Sequence, residues 1–173
     1  MKKLVLLTAV LIALCCNPLF SQDASTGSDK WDGTVKLNTV DLLTNALTQV
    51  INVNATWTTY LNLPSTALIN IGLPLEVDVL FAMGEMGVSL GMLVGVEVIF
   101  PILGEDKSGI FIDAKVGYKS STEDEPGEGA LIGAMNAGYQ FIALNGFVFA
   151  PTIGVKYDSD FKFNIGAHLG FAY

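Results

Sequence analysis

Of the 173 residues, 51% are hydrophobic and only 15% charged, and the formal net charge is −8. The charged share lies well below the quarter usual in soluble domains, which argues against an ordinary water-soluble domain. All nine basic residues are lysines against seventeen acids, which argues against nucleic acid as a partner, because phosphate backbones are gripped by a basic footprint.

The chain opens with an export signature. Lys2 and Lys3 precede an apolar run from Leu4 to Cys16, which Pro18 breaks. A run of thirteen residues, apolar but for Thr8, is too short to span a bilayer, which needs roughly 20, but it fits the hydrophobic region of a signal peptide. Ser21 supplies a small residue before a cut at Ser21–Gln22, although Leu19 departs from the preferred small residue two positions earlier. A lipoprotein signal modified at Cys15 or Cys16 is the alternative, disfavoured by the bulky Leu14 or Cys15 just before the modified cysteine. The organisation expected is a signal peptide over 1–21 and one domain over 22–173. Both cysteines lie in the signal, so the mature domain is expected to have no disulfide, thiolate metal site or cysteine nucleophile. Loss of Lys2 and Lys3 leaves seven lysines against seventeen acids, a net charge of −10.

Beyond the signal no apolar run reaches the length of a membrane helix. The closest, 86–103, contains Glu97, three glycines after Met86 and Pro101, and its β-branched residues favour strand. A chain this apolar without membrane helices points to a closed barrel, the other fold that satisfies its backbone in lipid. Eight segments read as strands, at about 33–42, 47–61, 67–82, 86–101, 109–120, 129–143, 146–157 and 161–173. Each is expected to supply the ~9–11 residues of a tilted transmembrane strand. Turn chemistry separates them, most strongly Asn145-Gly146, a hairpin signal between alternating runs. The expected fold is all-β, an eight-stranded antiparallel transmembrane barrel with up-and-down meander order. If both chain ends lie on the periplasmic side, the outer connections fall at about 43–46, 83–85, 121–128 and 158–160. Ser121 to Glu128 is the longest polar one.

Alternation assigns the faces. In the fourth segment Val88, Leu90, Met92, Val94, Val96, Val98 and Phe100 are expected to face lipid, opposite Gly87, Ser89, Gly91, Leu93, Gly95 and Glu97. Trp57, Tyr118, Tyr139, Tyr157 and Tyr173 fall where interfacial aromatic girdles are expected. Pro74 and Pro151 each remove a ladder donor, and a bulge is expected at either. The same count turns Lys36, Glu76, Asp78, Glu97, Asp113, Lys115, Lys156 and His168 inward. An eight-stranded barrel is just wide enough to be filled by side chains, so these charges are expected to form a paired network. Glu97 and Lys115, on neighbouring strands, are the expected cross-strand pair.

Little else carries chemistry. His168 is the sole histidine and near the periplasmic end; it reads as a lumen residue hydrogen-bonded to a neighbour, with Ser89 only a nominal nucleophile for it. No enzyme activity, cofactor or metal is expected. The acidic cluster Glu123, Asp124, Glu125 and Glu128 lacks the spacing of a calcium loop and reads as a solvated loop.

The last segment, FKFNIGAHLGFAY, alternates strictly and closes on Phe171 and Tyr173. It resembles the C-terminal strand of bacterial outer-membrane β-barrels, which ends in an aromatic read by the assembly machinery. As architecture, the mature chain resembles the small eight-stranded outer-membrane proteins typified by OmpX, OmpW and the OmpA membrane domain. The resemblance implies a monomer in the outer membrane of a diderm bacterium, with outer-membrane lipid and the assembly machinery as partners. It implies a non-enzymatic role in envelope integrity or slow passage of small or hydrophobic solutes. The alternative is a surface interaction or adhesin protein working through the acidic 121–128 loop. No functional motif of those proteins carries over.

Overall fold

The structure, a computed structural model, describes residues 31–40, 50–61, 63, 68–82, 88–102, 107–121 and 129–173. The signal region and the acidic segment 122–128 lie outside the described residues. Eight strands follow in order: β1 (Gly33–Asn38), β2 (Val50–Tyr60), β3 (Asn70–Ala82), β4 (Val88–Pro101), β5 (Gly109–Ser121), β6 (Ala130–Ile142), β7 (Phe147–Asp158) and β8 (Asp160–Ala172). Each pairs antiparallel with its neighbours in the sequence, and β1 pairs with β8 to close the barrel. Closure leaves no open sheet edge where β1 and β8 meet, the condition for a sheet in an apolar solvent.

The two faces differ as period-two alternation requires. Leu93 and Glu97 are 0% and 1% exposed, while their neighbours Val94 and Val96 are 57% and 47% exposed. The outward set on β4 to β7 includes Met92, Val116, Met135 and Ile153, so the molecule wears its aliphatic residues outside and many of its charges inside. Exposed aromatics concentrate toward the strand ends. Phe100, Phe141, Phe149 and Phe171 lie toward the end that carries Tyr173, with Tyr118, Tyr157, Phe161 and Phe163 at the far end. Trp57 packs edge-on against Tyr173, with ring centroids 6.0 Å apart, and its indole N–H donates to the Tyr173 hydroxyl. An exterior of this kind suits burial in lipid rather than water.

The hairpins follow local chemistry. Between β6 and β7, Gly146 takes φ +85°, its N–H donates to the Ala143 carbonyl (2.8 Å), and Asn145 Oδ1 accepts from the Phe147 N–H (3.1 Å). Between β7 and β8 a single residue, Ser159 at φ 64°, reverses the chain.

Two expectations are corrected. The prolines produce no bulge. Thr58↔Pro74 and Pro151↔Ala167 continue their ladders in unchanged register. On the other side the β3–β4 and β6–β7 ladders skip two pairs and resume without a shift. A missing N–H removes bonds on one side of a strand but requires no inserted residue.

The first strand is also shorter than expected, six residues instead of a full span. Asn38 stops it: its Oδ1 accepts from the Val40 N–H (3.1 Å) as the chain turns helical at Thr39 and Val40. The Thr39 hydroxyl donates to the Ala167 carbonyl (2.7 Å), an acceptor near the point where the β1 ladder ends. These are the local side-chain bonds by which Asn and Thr compete with a ladder. As a result β1 pairs only with Ala55–Thr59 of β2 and His168–Ala172 of β8.

Candidate functional site: the lumen

Three tiers of side chains fill the barrel, and each depends on which residue faces a large one across the ladder. Lys36 faces Gly170, Lys115 faces Gly95, Glu97 faces Gly72 and Phe111 faces Gly138. A glycine opposite lets a long side chain lie across the neighbouring strand. A Cβ at Gly95 would sit 2.8 Å from both Cα and Cγ of Lys115, closer than carbon atoms pack.

The tier nearest Tyr173 forms a floor. Lys36 on β1 reaches across the lumen to Glu97 on β4, with Nζ 3.1 Å from Oε2, and donates to Gln140 Oε1 on β6 at 2.9 Å. Gln140 Nε2 donates to the Tyr60 hydroxyl (2.8 Å) and to the Lys107 carbonyl (2.9 Å). The Lys36 and Lys107 ammoniums stand over the rings of Phe111 and Tyr60 at 5.3 and 5.4 Å, within the range of cation–π attraction. Tyr60, Ile99, Phe111 and Ala150 pack together around this network. All of these side chains are buried.

The middle tier centres on Lys115, whose Nζ is 2.5 Å from Glu76 Oε2 and 3.5 Å from Asp113 Oδ2. Asn54 donates to the other Glu76 oxygen, and Asn136 donates to Asp113 Oδ1 at 2.9 Å. The far tier holds Lys156 with Asp78 (2.6 Å) and Lys119 with Asp158 (2.8 Å). Side-chain exposure rises along the axis, from 4% and 2% for Lys36 and Glu97 to 30% and 25% for Lys119 and Asp158. The lumen is therefore dry at the Tyr173 end and opens toward the far end as a cup. There a cavity of ≈ 230 Å³ is bordered by Asn52, Asp78, Ser89, Lys119, Lys156 and Lys162, among others.

All eight charged or titratable residues assigned inward lie on the inner face, but the pairing differs from the expectation. Glu97 does not meet Lys115. The register sets Glu97 opposite Asp113 and Lys115 opposite Gly95, so Lys115 reaches over β4 to Glu76, and Glu97 takes Lys36 from across the barrel. His168 lies on the inner face as well, and its Nδ1 is buried without a hydrogen-bond partner among the described residues. It sits between Asn38 and Ala150 near the floor, whereas Ser89 lies in the far half opposite Leu80 and Ser121. The topology does not bring the two together. Tyr60, Gln140, Lys119, Asp158 and Lys162 were missed as lumen residues. Strict parity within their strands would have found each of them, since all share a face with a residue already assigned inward or belong to the same alternation.

Among the described residues no helix is long and apolar enough to cross a membrane, and no group of three potential ligands could hold a metal ion. The fold and lumen define a class: a small, closed, eight-stranded antiparallel barrel with an apolar exterior and an ion-paired interior. Comparison with family models, curated proteins and solved structures finds no match in any of the three.

Proposed function

We propose that this protein is an integral outer-membrane barrel, monomeric and non-enzymatic, that seals rather than perforates the membrane and contributes to envelope integrity. The observation that carries the reading is the floor. Lys36, Glu97, Gln140 and Tyr60, none more than 5% exposed, join four different strands across the lumen at the Tyr173 end. A hydrated channel would leave these groups wet, and a solute would have to break the network to pass. The exposed aliphatic band between aromatic-rich strand ends supports insertion in lipid, and the export signature of the sequence supports a location beyond the inner membrane. With the Tyr173 end toward the periplasm, the cup faces outward. The acidic 121–128 loop lies largely outside the described residues, so a surface-interaction role has no structural observation behind it. Fractionation and planar-bilayer recording test the reading together. The expected result is a heat-modifiable band in the outer-membrane fraction without unitary conductance steps. Recovery as a soluble periplasmic monomer, or large steady conductance, would overturn it.

A further inference from the structure

The far cavity has two opposed walls. Lys156 on β7 and Lys162 on β8 stand directly across the ladder from one another, an arrangement of like charges that costs stability unless an anion lies between them. Lys156 is paired with Asp78 and Lys119 with Asp158. Of the described charged groups bordering the cavity, three ammoniums meet two carboxylates, in a protein of net charge −8. The opposite wall, from β2, β3 and β4, offers Asn52 Oδ1, Asp78 Oδ1 and Ser89 Oγ. These three atoms are buried and have no hydrogen-bond partner among the described residues. Buried polar atoms normally find a partner, and two of these three can only accept.

We propose that the cavity is a binding site for a small molecule or headgroup with one phosphate or carboxylate and, a few ångströms away, hydroxyl or ammonium donors. The anion sits between Lys156 and Lys162. The donors meet Asn52 Oδ1, Asp78 Oδ1 and the Ser89 hydroxyl. At ≈ 230 Å³ the cavity takes at least about seven water-sized groups, the scale of glycerol phosphate or phosphoethanolamine. These groups occur both as free solutes and as phospholipid headgroups. The proposal rests on the outward cup described above.

The test is calorimetric titration of the full refolded barrel in a non-ionic detergent with inorganic phosphate, glycerol 3-phosphate and phosphoethanolamine. Short-chain phosphatidylethanolamine in the same detergent forms the lipid arm. Saturable binding of at least one of the two bifunctional probes, tighter than that of inorganic phosphate, is expected. Lys162→Gln, at an exposed side chain that leaves the fold intact, should weaken it about tenfold, the loss of one charge-assisted contact. Ser89→Ala should weaken the bifunctional probes but not inorganic phosphate. Tighter binding of the phospholipid than of phosphoethanolamine identifies a headgroup site, and the reverse identifies a solute site. Absence of saturable binding by every probe, or binding indifferent to Lys162→Gln, overturns the proposal. Conductance recorded on the same preparation separates the two readings, since a conducting barrel that still binds would sink the sealed floor and leave the site standing.

Discussion

Replacing Lys36 by methionine tests the floor most directly. The substitution keeps the apolar stem but removes the only cation within ion-pair distance of Glu97 among the described residues, leaving a carboxylate that is 1% exposed. Breaking a buried pair from one side costs roughly 3–5 kcal/mol, because the remaining charge stays desolvated. That is a factor of roughly 10²–10⁴ in the folding equilibrium. Glu97→Leu should cost a similar amount by stranding Lys36, which keeps Gln140 Oε1 at 2.9 Å and the Phe111 ring but no carboxylate within ion-pair distance among the described residues. The double variant Lys36→Met/Glu97→Leu removes both charges and leaves one orphan, the Gln140 carbonyl oxygen, at about 1–3 kcal/mol. It should therefore be more stable than either single variant. Urea titration of the barrel in lipid vesicles, followed by tryptophan fluorescence and by heat-modifiability on gels, reads all four proteins. If each single change costs less than about 1 kcal/mol, the range of exposed pairs, the floor is hydrated. If the double change costs the sum of the single ones, the two residues do not act as a pair; either result refutes the reasoning.

The same logic ranks the tiers: Lys115→Met strands both Glu76 and Asp113 in a buried setting. It should destabilise by roughly 3–5 kcal/mol, clearly more in urea titration than Lys156→Met, whose pair is 25% and 14% exposed. Gly95→Ala adds a methyl where Lys115 and the Ala114 carbonyl already sit. It should cost about 1–3 kcal/mol by overpacking, and an unchanged urea midpoint would mean that the β4–β5 register is not as described. Tyr173→Ala removes the aromatic partner of Trp57 at the β1–β8 seam, where the Tyr173 carbonyl also accepts from the Asp32 N–H at 2.7 Å. Its yield of heat-modifiable barrel in the membrane fraction should fall well below that of Glu125→Ala in the polar loop, and equal yields would count against the seam's role.

Much of the architecture was legible because period two is a local property. Each residue's face depends only on its parity within a strand, so Val94 out and Glu97 in could be read from β4 alone. The same holds for turns: Asn145-Gly146 needs only its own backbone geometry to reverse the chain. Parity also locates Gln140 and Lys119 on the inner face. The end of β1 was partly written in Asn38 and Thr39, whose side chains compete with the ladder. Whether they win depends on the Ala167 carbonyl, which another strand must bring within reach.

The partners of the inward charges were decided by the tertiary structure. Adjacency in sequence made Glu97 and Lys115 look like natural mates, but a register of one particular offset sets each against a residue it cannot bond. Lys36 and Glu97 are 61 positions apart, and only closure of β8 onto β1 brings β1 across the lumen from β4. Ion pairing falls steeply with distance and with hydration. Which pairs form, and which end of the barrel is dry, therefore follow from the closed geometry, whereas the inward and outward faces follow from the chain's own alternation.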